Sequence, residues 1–97
     1  MNLYDYKTPQ KGETFHTLLE HKNIKISRII SADTLEDKEY IQKEDEWVII
    51  LEGKAILEIE KKEIVLEKGE HIFISAYSPH RVLQTEQGTL WLAVYIS

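Results

Sequence analysis

Five side chains stand where their types could do chemistry: Arg28, Tyr40, Gln42, Glu46 and His80. In the stretch "YIQKEDEWVIILEG" (40–53), Tyr40, Gln42 and Glu46 share one parity, and that parity runs on into Val48 and Ile50, which read as core. Side chains two apart on a strand share a face, so a polar face here becomes apolar along one segment. His80 stands in the same relation to Val82 and Gln84, and Arg28 lies among isoleucines in "KNIKISRIIS" (22–31). Buried ionisable groups are costly unless they pair or hold a metal. One economical arrangement gathers them at the mouth of a hollow. There an acid and an imidazole could exchange protons or ligate a divalent ion. Gln42 could add a hydrogen bond or a carbonyl oxygen, and Tyr40 a pocket wall or a donor. An inward Arg28 could hold a ligand carboxylate or phosphate in its guanidinium fork. Its alternative is a salt bridge to Glu46 or another carboxylate. Arg81 has the opposite parity to His80 and belongs outside, while His16, His21 and His71 show no ligand spacing and read as surface or interface residues.

The elements that must position these groups read as strands. Segments 22–31, 46–52, 55–60, 63–67, 71–75, 80–85 and 89–96 are rich in β-branched and aromatic residues, with glycines in polar turn contexts between many of them. That rhythm predicts a β-sandwich or barrel. Alternation puts Ala55, Leu57 and Ile59 inside, with Ile64 and Leu66, Ile72 and Ile74, and Ile24, Ile26, Arg28 and Ile30. Lys61-Lys62 reads as a tight hairpin turn. The one helical candidate, "GETFHTLLEHK" (12–22), reads equally as a strand covering the sheet edge. Trp47, Ile49 and Leu51, with Trp91, Ala93 and Tyr95, form a second apolar face, covered by a homodimer partner, by the N-terminal segment, or by both.

Ninety-seven residues make one domain. A net charge of -5 with scattered basic residues argues against nucleic acid. No apolar run approaches the ~20 residues that span a bilayer, and the polar N-terminus is neither a signal nor a transit peptide. With no cysteine there is no disulfide, thiolate site or thiol catalysis. The expectation is a cytoplasmic domain binding a small molecule, with no nucleic-acid or membrane partner.

At this point the sequence resembles the cupins. Their first motif places two histidines ahead of a glutamate that lies seven positions before a glycine, and here Glu46 precedes Gly53 at that spacing. Their second motif opens on a glycine, matched by Gly69 in "GEHIFISAYSPHRVLQ". Ser75 stands where proline is usual and Tyr77 where glycine is. His80 holds the histidine position, and Gln84 replaces asparagine. The likeness covers about residues 22–96. It implies an all-β, cupin-type double-stranded β-helix (jelly-roll) barrel, with residues 1–21 packing on the barrel or on a dimer partner. Family ligand positions carry over as Gln42, Glu46 and His80 for a divalent ion such as Zn, Ni, Fe or Mn, with Arg28, Tyr40 and Gln84 as ligand-binding residues. Tyr40 and Gln42 stand in the two histidine positions, which weakens such a site. Isomerase, dioxygenase and hydrolase chemistries all occur on this fold. A non-catalytic sensor or accessory module and a purely structural dimer stay open beside them.

Overall fold

Strand-forming segments of this chain build eight strands and no helix. The structure, a computed structural model, describes residues 1–97. In chain order the strands are β1 (Glu13–His21), β2 (Ile24–Ser31), β3 (Asp45–Glu52), β4 (Lys54–Ile59), β5 (Lys62–Glu67), β6 (His71–Ile74), β7 (His80–Thr85) and β8 (Thr89–Ile96). All pairings are antiparallel. One sheet runs β1-β2-β8-β3-β6 and the other β5-β4-β7. The facing edges carry no ladder between β1 and β7 or between β5 and β6, so the sheets form a sandwich rather than the expected closed barrel. Segment 12–22 resolves as strand: β1 pairs along the whole of β2 and forms the sheet edge.

The core lies between the sheets. Ile29, Val48, Ile50, Trp91 and Ala93 from the larger sheet meet Ala55, Leu57 and Leu66 from the smaller. Register fixes who faces whom. Ile29 lies opposite Trp91 and Trp91 opposite Ile50, so these three share the inner face, whereas Arg28, Leu92 and Ile49 line up on the outer one. Two expectations are thereby corrected. On β2 the inward set is Ser27, Ile29 and Ser31, not Ile24, Ile26, Arg28 and Ile30. On β8, Trp91, Ala93 and Tyr95 face the core side rather than a second apolar face. Both misreadings have one cause. The outer face here is apolar too, because the N-terminal segment lies over it: Arg28 donates to the Leu3 and Asp5 carbonyls, and the Tyr6 hydroxyl to the Gly88 carbonyl. With Ile30 and Leu90 fully buried on that side, alternation alone could not say which face was the core.

The β4–β5 turn is Glu60-Lys61, one position earlier than expected. Both residues have positive φ (49° and 67°), and Ile59 pairs with Lys62. That is a two-residue turn of the kind whose twist suits a hairpin. No helix is long and apolar enough to cross a membrane.

Candidate functional site

β3 delivers Glu46 to the inner face at the open end of the sandwich, where it pairs with Tyr95 of β8 and Ile74 of β6. β7 delivers His80 from the opposite sheet. Its backbone forms a two-way bridge with Tyr40 (N···O 2.7 and 3.0 Å), and the two rings stack at 5.8 Å and 24°. The tyrosine ring therefore fixes one face of the imidazole. Glu46 and His80 are each only 7% exposed, and Glu46 Oε1 lies 3.8 Å from His80 Nε2. Gln42 Nε2 donates to the same Oε1 at 3.1 Å. His80 Nδ1 lies 2.9 Å from the Ser78 carbonyl. A carbonyl only accepts, so Nδ1 carries a proton, and Nε2 is the ring nitrogen that faces the acid.

These groups line a cavity of about 90 Å³, walled mainly by apolar side chains such as Ile29, Val48, Leu57 and Trp91. It opens into an outer vestibule of about 480 Å³ that shares Glu13, Phe15, Tyr40 and Val82 with it and adds residues 34–36, Lys11 and Lys38. Lys38 Nζ sits 5.0 Å over the Tyr40 ring. Arg81, on the outer surface as its parity requires, ion-pairs with Asp37, Glu39 and Glu58, tying the segment leading to Tyr40 onto the smaller sheet.

Burial raises the Glu46 pKa above the ordinary carboxylate range; His80 and the Gln42 hydrogen bond pull the other way and lose. Glu13 is raised too, by burial, against a hydrogen bond from Ser31. The Tyr95 and Tyr40 phenols are pushed up by burial and then by surrounding carboxylates, so neither serves as an anion. Burial in the hollow thus works against the charged form of both carboxyls.

Tyr40, Gln42, Glu46 and His80 come together as the sequence predicts. Two candidates do not join them. Arg28 points to the outer face rather than the expected mouth, bonded to the N-terminal segment and to His16, and makes no salt bridge. Gln84 is exposed: a bulge between Ile56 and Leu57 pairings sets it opposite Ile56 and turns it out of phase with Val82. Glu13 was missed. The strand alternative for "ETFHT" puts Glu13 on one face with Phe15, a parity left unassigned in the sequence. Glu13 Oε2 accepts from Ser31 Oγ at 2.5 Å, and that hydroxyl accepts from Trp91 Nε1 at 2.9 Å.

As a metal centre the set falls short. No three His, Cys, Asp or Glu side chains gather anywhere in the chain in a way that could hold an ion. Resident divalent ions take three or four protein ligands. Glu46 and His80 supply two, and Gln42 turns its amide N–H, not its carbonyl, to the acid. These donors do not fit a resident divalent ion.

The sequence and the fold match one family. A cupin domain model matches residues 30–95, more than half the chain, and the protein belongs to the cupins. A candidate mannose-6-phosphate isomerase of Ralstonia eutropha JMP134 is 35% identical, with a TM-score of 0.89 over 100% of this chain and 96% of that one. Two further structures share the fold. A conserved protein of unknown function from Streptococcus pyogenes is 20% identical (TM-score 0.84, covering 100% and 85%). An RmlC-like cupin of Shewanella frigidimarina NCIMB 400 is 14% identical (TM-score 0.79, covering 93% and 84%). Among curated proteins, no match was found.

Proposed function

We propose that this cupin binds a small hydroxyl- or carbonyl-bearing molecule at the open end of the sandwich, and that Glu46 and His80 exchange protons with it. The observation carrying this reading is the pair itself. An acid with raised pKa and an imidazole presenting its Nε2 face one another across 3.8 Å in a largely apolar hollow. That gap is too long for a direct hydrogen bond, yet one ligand oxygen can sit about 2.8 Å from both atoms. The acid donates, the imidazole accepts, and the apolar walls keep water from competing. Tyr40 and Gln42 hold the two groups in place. A carbonyl–hydroxyl rearrangement needs such a donor–acceptor pair. The 35%-identical relative carries the designation of a candidate mannose-6-phosphate isomerase, which is in keeping with such chemistry.

A metabolite melt screen tests the reading, run on wild type, Glu46→Gln and His80→Gln, with metal analysis of untagged protein alongside. A compound that stabilises wild type and neither variant supports it. Ligands that stabilise all three equally refute it, and stoichiometric metal lost on His80→Ala would replace it with a metal-dependent reading. The uncovered part of the outer face carries Trp47, Ile49 and a 55% exposed Phe73. We take that apolar surface as support for a homodimer.

A further inference from the structure

We propose that the groove around Arg28, on the outer face of the larger sheet, binds a compact oxyanion (phosphate, sulfate or a ligand carboxylate) at a site separate from the hollow. Arg28 is 6% exposed, and no carboxylate lies within ion-pair distance of it. A buried guanidinium is ordinarily matched by an acid. Here its charge meets only neutral acceptors. Nη1 donates to the Leu3 and Asp5 carbonyls at 3.2 and 2.9 Å, while Nε and Nη2 converge on the single lone pair of His16 Nδ1 at 3.3 and 3.1 Å. Of five N–H donors, two share one acceptor and one is left over. That Nε/Nη2 edge is the one an oxyanion grips in bidentate fashion.

The surroundings fit such an anion. A cavity of about 470 Å³ opens beside Arg28, lined also by Lys7, His16, Tyr6 and the hydroxyl-bearing Thr8 and Thr14. Lys7 supplies a second cation, and Asp5 the one carboxylate of the lining. His16 couples the site to pH by its bonding alone. Its Nδ1 can accept from Arg28 only while unprotonated. An anion taking over the guanidinium edge frees that nitrogen to bind a proton, and the imidazolium then donates to the anion. Affinity should therefore rise as pH falls from 8 to 6.

Sulfate is the probe, because its charge does not change over that range. The full chain is melted in sodium sulfate against sodium chloride of equal ionic strength, at pH 8 and pH 6. Expected is a saturable rise of about 7 °C at ten times the dissociation constant, with several-fold tighter binding at pH 6. The response should be lost in Arg28→Gln, weakened several-fold in Lys7→Ala and flattened against pH in His16→Gln. Phosphate should act as sulfate does, and acetate weakly if tetrahedral anions are preferred. Glu46→Gln should leave the response intact, which separates this site from the hollow. Should Arg28→Gln fail to fold, Lys7→Ala and Thr14→Val carry the test. A non-saturating rise equal in wild type and Lys7→Ala is the general salting effect of sulfate, and overturns the proposal, as does the absence of any rise.

Discussion

Replacing Glu46 by glutamine asks whether the acid in the hollow is held at a cost. Its folded-state pKa lies above the ordinary value, chiefly from burial. The unfolded chain therefore gives up this proton first, at about pH 4.3. The stability tied to the proton is complete below that pH and is lost as pH rises through the folded-state pKa. Each tenfold gain in proton affinity on burial costs about 1.4 kcal/mol once the pH exceeds both values. Glutamine cannot ionise, and it keeps the shape. Its carbonyl can accept the Gln42 N–H that now meets Oε1 at 3.1 Å, and its amide can donate to Nε2 of His80. Exchanging a desolvated charge for a satisfied neutral group is worth about 1–4 kcal/mol. Glu46→Gln should therefore melt at least ~4 °C above wild type at pH 8, at about 4–8 °C per kcal/mol for a domain of this size. The two curves should converge near pH 4, and a residual slope should persist from Glu13, whose pKa is raised in the same sense. Thermal melts from pH 4 to 8 read this directly. A variant less stable than wild type at pH 8, by the ~3–5 kcal/mol of a broken buried ion pair, refutes the reasoning. The pair would then be a charged structural bridge and not a proton-exchanging one.

Gly53→Ala should cost about 3 kcal/mol or more, read by chemical denaturation: φ is +89°, and a Cβ there would sit 2.5 Å from Thr89 Oγ1 and 2.8 Å from its Cα. Ser31→Ala should cost about 1–3 kcal/mol by leaving buried Trp91 Nε1 without its acceptor. Because it also removes the bond that lowers the Glu13 pKa, its deficit should widen as pH rises above ~5. On the homodimer proposal, Trp47→Glu should halve the mass seen in light scattering without lowering the melting point at low protein concentration. An unchanged mass would remove Trp47 from any self-association surface.

Seven of the eight strands were legible because periodicity and turn residues are local properties, with β1 left open between helix and edge strand, and the inner faces of β3, β4, β5 and β6 followed from clean alternation. Glu46 and His80 were legible as a pair because each heads an apolar run on its own strand. What was not legible depended on residues distant in sequence. Alternation gives two faces but does not say which one looks into the core. On β2 and β8 both faces are apolar, because residues 3–8 cover the outer one, and only the register Arg28–Leu92–Ile49 against Ile29–Trp91–Ile50 decides. Gln84 was lost to one bulge, which reverses every later side chain on its strand. Glu13 was lost because the segment holding "ETFHT" was left open between two periods, so no face was assigned to it. The error at Arg28 is the instructive one. An arginine among isoleucines was rightly read as buried and wrongly sent to the hollow. Burial requires only that its donors be met, and two backbone carbonyls of the N-terminal segment with one imidazole meet all but one of them. A side chain's chemistry says what must surround it. Which side of the sheet supplies those surroundings is settled by the chain that crosses over it.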